Sequence, residues 1–302
     1  MIMKAQHSLL LAGLSLLALF TACDKSNPEL TGDKNDAGVG KYVISDASSA
    51  YASIELTNTG EFIVTRNVAK TKADENDYSP EDVWVFGSFN VKDGSYVLNG
   101  FGELIIKSLG NGKFTLNIVS DELSDPVVVT ATAASTVVKT ELDRRLCQHW
   151  VFEKTHVGFS YNGGAEIGLD LKAGNFTNWL KINNDEEGVG ELGATVEGLL
   201  FTETGSLVIL YDNERINVGT WNGHINDDGS ITSSWETGYA SSFKDYRFNG
   251  DLNVSFVAGE NGEKDRCVIV NNYTSTYRKG LLGFFEKVVS VVVNLTYTLV
   301  AA

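Results

Sequence analysis

Apolar and polar side chains alternate one for one along much of this chain. Phe114, Leu116 and Ile118 oppose Thr115 and Asn117, and Leu252, Val254 and Phe256 oppose Asn253 and Ser255. At the C-terminal end Val289, Val291, Val293, Leu295, Tyr297 and Leu299 oppose Ser290, Val292, Asn294, Thr296 and Thr298. A period of two places each set on one side of a strand, and the last run predicts a single strand about 35 Å long at 3.3 Å per residue. Gly, Asn and Asp stand where hairpins need positive φ, in Lys92-Asp93-Gly94-Ser95, Gly110-Asn111-Gly112 and Asp227-Asp228-Gly229-Ser230. One stretch has helical spacing: over 135–148, Val138, Leu142 and Leu146 recur every fourth residue, with Lys139, Glu141, Asp143, Arg144 and Arg145 between them. It separates two β-rich halves, so the expected boundary falls there, giving β domains over 41–134 and 135–302.

The first 40 residues follow a different pattern. Lys4 precedes an apolar run from Leu9 to Phe20 that is too short to span a bilayer, followed by the small residues Thr21 and Ala22 and then Cys23. That is an export signal over 1–22. Small residues directly before a cysteine resemble the lipobox of bacterial lipoproteins, although Phe20 stands where Leu is usual. The resemblance implies that Cys23 is lipidated and becomes the first residue of the mature chain, with acyl chains contributing about 0.8 kcal/mol per buried CH2. Residues 23–40 are almost free of apolar side chains, cannot offset their ordering entropy by burial, and read as a flexible linker. No second long apolar run follows. Lipid is thus the expected membrane contact, and a membrane-embedded reading of the last strand becomes redundant. The expected location is the cell envelope, at the outer membrane rather than the inner.

Charge and cysteine content narrow the partners. With 24 Lys+Arg against 39 Asp+Glu the net charge is −15, which argues against nucleic acid and anionic lipid surfaces. Of three cysteines, Cys23 belongs to the anchor; Cys147 and Cys267 remain as an even pair in an oxidising compartment, able to bridge or to stay as two buried thiols.

The two halves share an internal repeat. Leu56-Thr57-Asn58-Thr59-Gly60-Glu61-Phe62-Ile63-Val64 matches Phe201-Thr202-Glu203-Thr204-Gly205-Ser206-Leu207-Val208-Ile209. Further on, Val85-Phe86-Gly87-Ser88-Phe89 with Asp93-Gly94-Ser95 matches Asn217-Val218-Gly219-Thr220-Trp221 with Asp228-Gly229-Ser230. The order His149-Trp150-Val151-Phe152, Phe-Thr-Glu-Thr-Gly hairpin, Gly219-Thr220-Trp221 strand and Asp-Asp-Gly-Ser-Ile turn resembles the lipocalin-like (calycin) domains in lipoproteins of Bacteroidota. That resemblance implies an all-β protein with two antiparallel barrels or half-barrels, joined by the short amphipathic helix. The lipocalin Gly-x-Trp signature stands mid-domain instead of at the first strand.

Catalytic motifs are scarce. Neither Gly-x-Ser-x-Gly nor His-Glu-x-x-His occurs in the mature chain, and His149, His156 and His224 fall in different elements. Aligning Gly229 with the sixth place of a calcium loop puts His224 first and Trp235 twelfth, where carboxylates are required. No catalytic residue, metal or cofactor is expected. The five tryptophans read first as core residues on β-strands; their sharper reading is a platform for a sugar ring or an apolar molecule, for which the candidates are Trp179, in polar surroundings, then Trp221 and Trp235. The expected function is non-catalytic binding of a hydrophobic small molecule, a glycan fragment or an envelope protein. Alternatives are a structural or assembly lipoprotein with solid-packed barrels, and a glycan-active hydrolase using paired carboxylates.

Overall fold

The computed structural model describes residues 38–67, 80–172, 196–212, 214–222, 224–230, 235–236, 251–260, 262–280 and 286–302. The signal, Cys23 and Trp179 lie outside them. The described chain is all-β, with two short helices, α1 (Pro80–Val83) and α2 (Glu141–Leu146).

Eight antiparallel strands close a barrel in sequential order: β1 (Gly40–Ile44), β2 (Tyr51–Leu56), β3 (Glu61–Arg66), β4 (Trp84–Lys92), β5 (Ser95–Leu98), β6 (Gly102–Gly110), β7 (Lys113–Ser120) and β8 (Val127–Ala133), with β8 pairing back onto β1. The alternation dictates which residues fill it: Phe114, Leu116 and Ile118 are buried in the interior with Ile54, Phe62, Leu104 and Phe101. Aromatic rings meet edge to face there, Tyr42 with Phe114 at 5.0 Å and Tyr51 with Phe101 at 5.4 Å. Burial pushes the Tyr42 hydroxyl up to about 12. Asp93 and Asn111 take positive φ in their hairpins, as their turn sequences require.

A second sheet follows α2 (Glu141–Leu146). Its strands are β9 (His149–Tyr161), β10 (Ile167–Lys172), β11 (Val196–Phe201), β12 (Ser206–Tyr211), β13 (Ile216–Trp221), β14 (Trp235–Glu236), β15 (Asp251–Val257), β16 (Arg266–Gly280) and β17 (Glu286–Ala301). The order is β14-β13-β12-β11-β9-β17-β16-β15, with β10 also pairing with β9. An isolated bridge, Ser230 to Asn253, links the segment after β13 to β15. The long C-terminal strand is present, and Val293, Leu295, Tyr297 and Leu299 are buried on one side of it. The helix is shorter than its spacing predicts. Thr140 caps it in a capping box with Asp143, while Val137 before it donates its backbone N–H to Glu203 O at 2.8 Å, as extended chain.

The internal repeat is carried into hydrogen bonds. In each hairpin the first Thr donates its N–H to the residue four on (Thr57 to Glu61 O at 2.8 Å, Thr202 to Ser206 O at 3.0 Å). Its hydroxyl accepts from that residue's N–H, at 2.9 Å in both copies. Gly60 (φ 90) and Gly205 (φ 89) turn the chain in the left-handed region, and their carbonyls accept from Phe89 and Trp221. The copies also face each other. Ile63, Trp84, Leu200, Val208, Ile216 and Val218 form one buried cluster between the outside of the barrel and the outside of the second sheet.

One polar contact across this seam occurs as an exchanged pair, as in an isologous two-fold interface. Strand pairing makes Tyr42 and Trp150 equivalent, since they oppose Ile54 and Leu199, so Lys41 corresponds to His149. Lys41 Nζ donates to Ser206 Oγ at 3.1 Å, while His149 Nδ1 lies 3.4 Å from Glu61 Oε1, and Glu61 is the counterpart of Ser206. Glu55, buried in the seam, accepts from Thr204 Oγ1 at 2.5 Å and Ser206 Oγ at 2.7 Å, with Lys41 Nζ at 3.7 Å. Burial raises the proton affinity of Glu61, but hydrogen bonds from His149, Thr59 and Thr57 outweigh it and leave the carboxyl below its usual range.

Candidate functional site

The inner face of the second sheet is closed at one end and apolar and exposed at the other. At the closed end α2 lays Leu146 against a core that includes Trp150, Phe201, Leu207 and Leu299. The Trp150 indole N–H donates to Leu146 O at 2.9 Å, and the Arg145 guanidinium stands 4.6 Å above the Phe256 ring. Asp143 fastens the helix. Its fully buried carboxylate accepts from the backbone N–H of Lys139, Thr140 and Ile225, and His224 Nδ1 lies 3.2 Å away. Burial pushes that carboxyl up, but the three backbone donors and His224 outweigh it, holding it below the usual carboxylate range.

At the other end β9 and β10 form a hairpin whose register decides which residues face inward. Phe159 pairs with Ile167 and Val293, and Val157 pairs with Leu169 and Leu295. Directly paired residues share a face. Val157, Val293 and Leu295 belong to the core, so Phe159, Ile167 and Leu169 extend the same apolar surface. There it meets solvent: Tyr161 is 52 % exposed, Ile167 59 % and Leu169 45 %. The Phe159 and Tyr161 rings lie 6.4 Å apart. The opposite face of the hairpin is polar. His156 Nδ1 is 2.6 Å from Asp170 Oδ1 and its Nε2 is 3.8 Å from Glu166 Oε1, Lys154 Nζ reaches Asp170 at 3.1 Å, and Asn294 donates to Glu166. Hydrogen bonds from His156 and Lys154 lower the Asp170 carboxyl. A polar outside and an apolar, solvent-facing inside suit the uptake of an apolar molecule.

The residues singled out from the sequence are dispersed. Trp221 is buried, donates its indole N–H to Thr202 O at 2.9 Å and meets Phe201 edge to face, so it is part of the closed core. Trp235 pairs with Trp221 in β14. Trp179 and Cys23 lie outside the described residues. Cys147 and Cys267 are free thiols buried in one core cluster, and burial raises both well above the ordinary thiol range, a state with little nucleophilic character. Among the described residues no three His, Cys, Asp or Glu side chains are grouped to hold a metal ion, and no helix is long and apolar enough to cross a membrane. The apolar hairpin face was not singled out from the sequence; Phe159, Tyr161, Ile167 and Leu169 alternate with polar or glycine positions, a signal that reads equally as ordinary core.

Compared with family models, with curated proteins and with solved structures, the chain matches none.

Proposed function

We propose that this chain is an exported, lipid-anchored envelope protein that binds a hydrophobic small molecule on the inner face of its second sheet, without transforming it. The observation that carries the binding reading is the exposed apolar surface of Tyr161, Ile167 and Leu169 beside the half-buried Phe159, continuous with a core that α2 closes at its far end. In this reading the second sheet curls into a lipocalin-like half-barrel, drawn together by the Ser230–Asn253 bridge. The aromatic-filled first barrel serves as its scaffold.

Two experiments test it. N-phenyl-1-naphthylamine, an uncharged dye that brightens in apolar surroundings, should bind the full chain with micromolar affinity, and Ile167→Asp with Leu169→Asp should weaken it by about ten-fold or more, since each places a charge on the apolar face. An unchanged titration in the double variant defeats this site. Separately, Cys23→Ala should move the protein from the membrane to the soluble fraction of its host; a variant that still pellets with membranes defeats the anchor.

A further inference from the structure

Strand β10 is an open edge among the described residues. β9 carries β17 along one side; on the other it carries β11 at its start and β10 further on, where Ile167 to Lys172 pair with Phe159 to Lys154 without a register shift. No further described strand pairs with β10. Alternate N–H and C=O groups of an antiparallel edge strand point away from its one neighbour and offer a template to another strand. Proline, a bulge or burial blunts such an edge in many proteins. β10 has neither proline nor bulge, and Ile167, Gly168, Leu169 and Asp170 are exposed.

The sequence of this edge is complementary to itself. About Leu169, the run Glu166-Ile167-Gly168-Leu169-Asp170-Leu171-Lys172 sets an acid against a base and an apolar residue against an apolar one. In an antiparallel pair of two copies with Leu169 opposite Leu169, Ile167 opposes the partner's Leu171, Glu166 opposes the partner's Lys172, and Gly168 has no side chain to set against the partner's Asp170. Directly opposed residues share a face, and opposite charges so placed are favourable where like charges are not. Moving the centre to Gly168 sets Glu166 against the partner's Asp170, and moving it to Asp170 sets the two Asp170 carboxylates against each other. Charge thus selects the register centred on Leu169.

We propose that β10 is a homodimerisation edge: two copies of this chain pair β10 with β10, antiparallel about a two-fold axis at Leu169, and join their second sheets into one. The axis stands perpendicular to the sheet, so the two inner faces continue into each other. The partner's Leu171 and the partner's Ile167 then extend the apolar surface of Phe159, Ile167 and Leu169, while that face itself stays open. A short edge suffices where both copies are held on one membrane, since tethering raises their effective concentration.

Cysteine cross-linking of the full chain in whole cells, under a mild oxidant, tests it. Opposed residues of an antiparallel pair have Cα atoms about 4.5–5.5 Å apart, inside the range of about 4.4–6.8 Å that a disulfide spans, so Leu169→Cys should form a linked dimer about ten-fold faster than Leu109→Cys. Leu109 is 59 % exposed on barrel strand β6 and serves as the control, and the native thiols Cys147 and Cys267 are buried. Ile167→Cys alone should stay monomeric, because its copy lies four residues, about 13 Å, along the strand; co-expressed with Leu171→Cys it should link. Adding Glu166→Lys to Leu169→Cys should slow linking about five-fold, and adding Lys172→Glu as well should restore it. Linking of Leu169→Cys no faster than that of Leu109→Cys, as for a monomer or an edge covered by another partner, overturns the inference. Linking by Ile167→Cys alone to the same extent, or charge reversal without effect, overturns the pairing about Leu169. The dye titration is read separately, so each of these results leaves the binding reading standing.

Discussion

Asp143→Ala is expected to lower the stability of the second sheet by about 3 kcal/mol, because it strips the acceptor from three backbone N–H groups, of which that of Ile225 is buried and those of Lys139 and Thr140 are half-buried. Those donors belong to two separate segments: Lys139 and Thr140 open α2, and Ile225 follows β13. The carboxylate is thus both the cap of a six-residue helix and the tie that fixes it across the closed end of the sheet. A helix that short does not persist in water unaided. At roughly 2–4 °C per kcal/mol for a domain of this size, the melting midpoint should drop by about 10 °C, and Asp143→Asn, which keeps one acceptor oxygen, should lose about half as much. A midpoint within a degree of the unmodified chain would show that the tie carries nothing.

The same residue sets a pH dependence. Asp143 and Glu61 have folded-state affinities for protons below their ordinary values of 3.8 and 4.5, so as pH falls the unfolded chain takes up protons first. Their contribution is complete above the ordinary carboxylate range, declines through it, and is gone once pH has passed below the folded-state values. Asp143→Ala should accordingly flatten the acid limb of a plot of melting midpoint against pH.

The strands were legible because their period of two coincides with one-sided burial: Phe114, Leu116 and Ile118, and Val293 through Leu299, sit where alternation puts them. The repeat was legible because the same Thr-x-Thr-Gly turn needs the same hydrogen bonds in both copies. The seam was not read, although a signal existed. Phe62-Ile63-Val64 and Leu207-Val208-Ile209-Leu210 break the alternation, and a continuous apolar strand is one covered on both faces. The start of α2 was placed too early because Val137 and Val138 fit a helical spacing, whereas pairing of Val137 with Glu203 holds the chain extended until Thr140. Trp221 is a candidate stacking platform by residue type alone; only the tertiary structure shows its N–H already used by Thr202.

The seam makes the second strong prediction. Ile63→Glu should cost about 3–5 kcal/mol of coupling and split one calorimetric unfolding transition into two. Ile63 is 2 % exposed and Val208 0 %, yet each points away from its own core, into the cluster shared with Trp84, Leu200, Ile216 and Val218. A glutamate at either place can recover its hydration only if barrel and sheet part, so the loss is bounded by what the seam contributes and leaves both interiors intact. Six apolar side chains at about 1.5–3 kcal/mol each set the upper limit of that contribution. Because Ile63 and Val208 occupy equivalent places in the two hairpins, Val208→Glu should produce the same split with a similar shift. Unequal effects, with one variant unfolding in a single step at the original midpoint, would contradict the two-fold character of the seam. Dye binding offers an independent readout. The candidate site faces inward from β9 and β10, away from the seam, so both variants should retain N-phenyl-1-naphthylamine affinity within about two-fold, as expected for sites without shared partners.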